Sequence, residues 1–103
     1  MVRESWASKI NLIKTVELSY KCGLADQRSA GVAIMTVQSG MVEELTQVGL
    51  FSDQTMRTGI KDVTQRGVDA GFAAAEEGAC TRMTPAERGR LRALVGSMLP
   101  RPP

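Results

Sequence analysis

Two cysteines, Cys22 in the stretch SYKCGL and Cys80 in EEGACTRMTPAERG, are the side chains of this sequence best suited to covalent chemistry. Each stands where a helical pattern runs out. Such a pair can form a structural disulfide, a redox centre or part of a metal site, or it can be two packed thiols. A thioredoxin-type redox centre needs a CxxC motif, and a zinc site needs further cysteine, histidine or carboxylate ligands at short spacings. The chain has no CxxC and no histidine. A staple or two small buried thiols remain, since free cysteine packs as a small hydrophobe. The staple is the favoured reading, because in an alternating set of helices the ends of the first and third lie at the same pole. A closure of this length stabilises a fold by about 4 kcal/mol on loop-entropy grounds. Disulfides persist in oxidising compartments, so the sequence points to a periplasmic or secreted protein, with the cytoplasm as the alternative. The opening residues MVRESWASK contain no apolar stretch of a secretory signal, which leaves a cytosolic chain or a mature portion without its leader.

Other chemistry is thinly represented. Without histidine the chain cannot build a Ser-His-Asp or Cys-His nucleophile system, an HExxH zinc helix or a Glu-x-x-His di-iron half-site. Neither GxGxxG, GxxxxGK[ST] nor a calcium-loop pattern occurs. Glu43-Glu44 and Glu76-Glu77 are adjacent pairs that diverge around a helix, so a solvated face explains them better than acid–base catalysis. The chain therefore reads as non-enzymatic, with no metal and no cofactor expected. Arg82, Arg88 and Arg92, with Arg90 between the last two, form a candidate basic patch that could touch a phosphate backbone. Residues 1–23 carry a net +2, residues 24–80 a net −4 and residues 81–103 a net +4. Attraction between the two ends and the middle of one compact fold accounts for that layout. The small total of +2 and the absence of a tight helix-turn-helix argue against nucleic acid.

One spacing is less routine. Gly59, Val63, Gly67, Gly71 and Ala75 recur every four residues and lay a strip of mostly small side chains along one helix. Glycine inside a helix costs about 1 kcal/mol relative to alanine, so three on one strip call for an offsetting gain. Close approach of another helix backbone supplies it, through dispersion contacts that larger residues would block. The strip is a helix-packing seam within the chain, the seam of a homodimer or a peptide groove. Beyond the initiator, Met35, Met41, Met56, Met83 and Met98 are read chiefly as core filling, although methionine also lines adaptable binding surfaces.

The elements that must position these residues are helices. Trp6, Ile10, Ile13, Val16 and Tyr20 mark one face of a first helix over about 5–22, stopped by Gly23. Asp26 caps a second over 26–48, expected to be the most buried because Val32 to Val37 is almost continuously apolar; a short strand there is the alternative. Ser52 caps a third over 52–77, with Phe51 and Met56 placed for a hydrophobic staple. Met56, Ile60, Val63 and Phe72 are assigned to its inner face. Thr84-Pro85-Ala86-Glu87 is a capping box with proline at the first helical position, opening a fourth helix over 84–99 before a frayed tail at 100–103. With 103 residues, 43% hydrophobic and 23% charged, the chain is expected to fold as one all-α domain over 1–103, an up-and-down four-helix bundle. No run approaches the roughly 18 to 20 apolar residues that span a bilayer. The leading functional reading is an exported helical domain that binds a protein or peptide through apolar surface on helices two and three. The alternative is a cytosolic helical regulator or nucleic-acid-associated protein that uses the basic last helix.

Overall fold

The computed structural model describes residues 2–49 and 52–100, with side chains from residue 6 onward. Among them are five helices and no strand: α1 (Val2–Lys21), α2 (Gln27–Val48), α3 (Asp53–Glu76), α4 (Ala79–Arg82) and α5 (Pro85–Ser97). Their ends follow from local chemistry. Gly23, at φ 75°, closes α1: its amide donates to the Tyr20 carbonyl, and the Leu24 amide donates to that of Ser19. That double closure needs a left-handed residue, which glycine supplies without a Cβ penalty. The Asp26 carboxylate accepts from the Ser29 amide at 2.7 Å to start α2, and the Ser52 hydroxyl accepts from Thr55 at 3.1 Å to start α3. Thr84 and Glu87 make the reciprocal capping box of α5. The staple expected between Phe51 and Met56 involves a residue outside those described.

α4 was not legible from the sequence. Gly78, at φ 90°, breaks the third helix, and the chain then takes one further turn whose Thr81 and Arg82 amides both donate to the Gly78 carbonyl. Four residues carry no periodicity by which to recognise a turn. The strand considered over Val32 to Val37 is absent too; that stretch is helical, with Ala33 and Val37 buried and Met35 exposed.

Pairwise contacts give the sense of each helix. Gly59 of α3 faces Trp6 of α1, Gly67 faces Ile10 and Ile13, and Gly71 faces Lys14 and Glu17. The numbers rise together, so α1 and α3 run parallel. Val42 of α2 shares a hollow with Asp53, Met56 and Ile60 of α3, whereas Gln38 donates to Thr64 at 3.1 Å. The numbers run in opposite senses, so α2 is antiparallel to α3 and hence to α1, to which Lys9 ties it through Glu44 at 3.3 Å. α5 packs on α1 and α2, with the Thr36 hydroxyl donating to the Met98 carbonyl at 2.9 Å. The most extensive interface is that of the parallel pair α1 and α3, rather than one between successive helices as the short connections suggest. The glycine strip is the physical reason, because it lets the two backbones approach so closely that a Cβ on Gly67 or Gly71 would lie within 3.0 Å of an α1 carbonyl oxygen.

The core lies in two clusters. Ile13, Val37, Met41, Leu45, Ile60 and Val63 form one, and Val16, Ala30, Ala33 and Val95 form the other; Ile34 and Met98 pack against both. Each fully buried aliphatic side chain contributes about 1.5–3 kcal/mol. The buried Ser19 is satisfied by donating to the Thr15 carbonyl at 2.8 Å. Met41 fills the core and Met56 and Met98 pack against it, whereas Met35 is 63% exposed. Phe72 departs from its expected place on the inner face. It is 46% exposed, one position past Gly71 and thus about 100° round the helix from the seam. Its ring instead receives the Lys21 ammonium 5.0 Å from its centroid, with the Tyr20 ring at 5.3 Å.

Candidate functional site

Two places bring together residues with chemistry to offer: the pole where α1 and α4 end, and the cleft between α2 and α3. At the pole, Cys22 and Cys80 lie at disulfide distance, with sulfurs 2.10 Å apart and Cα atoms 5.2 Å apart. The geometry follows from the parallel seam. Gly59, Gly67 and Gly71 sit 53 or 54 positions after the α1 residues Trp6, Ile13 and Glu17 that they meet, and the cysteines continue that register at a separation of 58 once the Gly78 break is passed. The seam thus aligns the two helix ends, and the sulfurs close them.

Gly67 and Gly71 are buried in the seam, where a Cβ on either would fall within 2.7 Å of α1 atoms. Val63 is buried in the first core cluster, and Ala75 is half-buried near the end of α3. The surface that the three glycines offer is occupied by α1 of the same chain.

The three arginines of the candidate basic patch differ in surroundings. Arg88 is half-buried and donates from its guanidinium to the Cys80 carbonyl, tying the start of α5 to α4 beside the cysteines. Arg82, Arg90 and Arg92 are exposed. No group of three or more cysteine or carboxylate side chains converges in a way that could hold a metal ion, among the described residues. No described helix is long and apolar enough to cross a membrane.

Beside the seam, α2 and α3 leave two hollows of about 390 Å³ and 230 Å³ that share Val42, Arg57 and Ile60 and so form one groove. Val42 and Met56 supply its open apolar surface, with the buried Ile60 beneath them. Val42 is 45% exposed, as are Met35 and Val48 to a greater degree elsewhere on the same helix. The rim is polar, with Arg57 and Lys61 one turn apart and Asp53 at the far end of the smaller hollow. The Gln38–Thr64 hydrogen bond crosses the opposite end. Neither Arg57 nor Lys61 forms an ion pair with a described carboxylate; Asp62, next to Lys61, is held by Arg66 at 2.9 Å.

Reading the sequence did not single out Val42, Arg57 or Lys61. The available signal was a like-charged i,i+4 pair flanking Ile60. Its convergence with Val42 depends on the register between α2 and α3, which no local pattern encodes. No family model, curated protein or solved structure matches the chain, so the functional reading rests on this geometry.

Proposed function

We propose that the chain is a non-enzymatic helical domain of an oxidising compartment, periplasmic or extracellular. In this reading a four-helix, up-and-down frame, held by a Cys22–Cys80 staple, presents the α2/α3 groove to a protein or peptide partner. The observation that carries the proposal is the groove itself. Apolar side chains of two helices are left half-open to solvent between polar rims, which is how receptors of amphipathic segments are built. The disulfide-distance cysteines support the compartment, since such pairs are kept reduced in most cytosols.

The test is a titration of the full-length oxidised protein with a short uncharged amphipathic peptide, followed by amide chemical shifts. The proposal expects shifts centred on Val42, Arg57, Ile60 and Thr64. Shifts confined to other surfaces, or none at millimolar peptide, would refute it.

Arg82, Arg90 and Arg92, exposed and without an ion pair to any described carboxylate, favour a second reading: a cytosolic helical regulator or nucleic-acid-associated protein. That reading expects duplex binding whose affinity falls steeply with salt, by close to one power of salt concentration per phosphate contacted.

A further inference from the structure

We infer that the occupant of the α2/α3 groove is an acidic amphipathic helix of a partner protein, with carboxylates one turn apart; the inference rests on the peptide-binding reading above. The first ground is charge. Arg57 and Lys61 stand on the rim within a segment, residues 24–80, whose net charge is −4, yet neither is neutralised by a described carboxylate. Asp62 is paired with Arg66, and Asp53 lines the smaller hollow without an ion pair to Arg57. Like charges at i,i+4 on a helix surface repel weakly, and an anion that met both would relieve that repulsion.

The second ground is shape. The groove runs from Asp53 to Gln65 along α3, about 18 Å at the helical rise, which is the length of some three turns of a docked helix. Arg57 and Lys61 are separated by about 6 Å along that axis, the same spacing as two carboxylates at i and i+4 on the partner. A leucine or similar residue beside them would reach Val42 and Met56. Apolar burial on that floor provides the affinity, and the two rim cations select the partner and its direction. An extended peptide has no sheet edge to join among the described residues. A nucleic acid would use the cations but leave the valine and methionine surface unmatched.

The experiment uses the oxidised full-length protein and three labelled helical peptides sharing one leucine stripe, flanked by glutamates one turn apart, by glutamines or by lysines. Fluorescence anisotropy is expected to rank them glutamate, glutamine, lysine. Exchange of both rim charges by Arg57→Glu and Lys61→Glu is expected to weaken the glutamate peptide about tenfold and to invert the order. Val42→Gln is expected to weaken all three. Equal binding of the three peptides would overturn the acidic assignment while leaving peptide binding intact, and no binding by any would remove both. Glutamate-peptide binding unchanged by the charge exchange would place the site elsewhere and overturn the inference. So would a dimer in sedimentation that dissociates on the charge exchange, since the occupant would then be a second copy. Duplex RNA binding lost on the charge exchange but kept in Val42→Gln would assign the cations to phosphates and overturn the inference as well.

Discussion

Alanine in place of Gly67 sets the sterics of the α1/α3 seam directly against helix propensity. The new methyl would lie 2.6 Å from both Cβ and Cγ2 of Ile13 and 3.0 Å from the Ile10 carbonyl oxygen. Carbon atoms pack at roughly 3.5–4.0 Å, so the shortfall is about 1 Å. The obstacles cannot rotate away, because one is a Cβ fixed to the α1 backbone and another is backbone itself. α1 must therefore shift, opening gaps along an interface where a 0.5–1 Å gap already forfeits about a quarter to a half of each contact. Overpacking costs about 1–3 kcal/mol, and backbone-anchored obstacles place this case at the upper end. Alanine returns about 1 kcal/mol of helix propensity. The net expectation for Gly67→Ala is a loss of about 2 kcal/mol, a fall in Tm of roughly 10 °C for a domain of this size.

Gly89 on α5 is the control, since a Cβ there meets nothing within 4 Å. Gly89→Ala should stabilise by about 0.5–1 kcal/mol. Gly59→Ala should fall between, because its nearest obstacle is the far edge of the Trp6 ring. Urea unfolding followed by circular dichroism, with sedimentation to fix the oligomeric state, reads all three. A Gly67→Ala protein as stable as the parent would refute the close seam. Loss of a dimer with an intact monomer would place the seam between chains instead.

Other expectations come from single contacts. Thr84→Ala removes the hydroxyl that accepts from the Glu87 amide at 3.1 Å, and should cost about 1 kcal/mol in urea unfolding. The Asp26 carboxyl is held below its ordinary value of 3.8, chiefly by the hydrogen bond from the Ser29 amide. Its contribution is therefore fully present above that value and is lost as pH falls through the lower folded one. Asp26→Asn keeps an acceptor but cannot titrate, so the Tm difference between parent and variant should narrow on acidification below about pH 4; a constant difference would contradict the linkage. Replacing Cys22 and Cys80 together by serine should lower stability by about 4 kcal/mol for a closed loop of 58 residues, measured as the shift in urea midpoint between oxidised and variant protein.

The helices were legible because their signals are local. Asp26, Ser52 and Thr84 cap within three residues, and the Trp6 to Tyr20 stripe needs only the helical period. The glycine strip announced a close approach, but the surface that meets it depends on the parallel register of α1 and α3, set by packing over more than fifty residues of sequence. Phe72 shows the limit of apolar assignment. Its side chain lies too far round α3 from Gly71 to face inward, and it covers Lys21 instead. Arg88 shows the same limit for charge, because a residue read as part of an outward basic patch is turned back to the Cys80 carbonyl. Apolar surface on helices two and three was expected, but the lining of the groove was not legible for a related reason: Val42 looks like an ordinary core position until α2 and α3 are set side by side.

The compartment, and with it the class of partner, depends on whether Cys22 and Cys80 are linked in the protein as it occurs in the cell. Protein trapped from its native host under acid, denatured and alkylated with and without prior reduction, can be weighed intact. The account predicts that neither thiol is alkylated until reduction, at the mass of a single chain. Alkylation of both without reduction would contradict the staple and the oxidising compartment together.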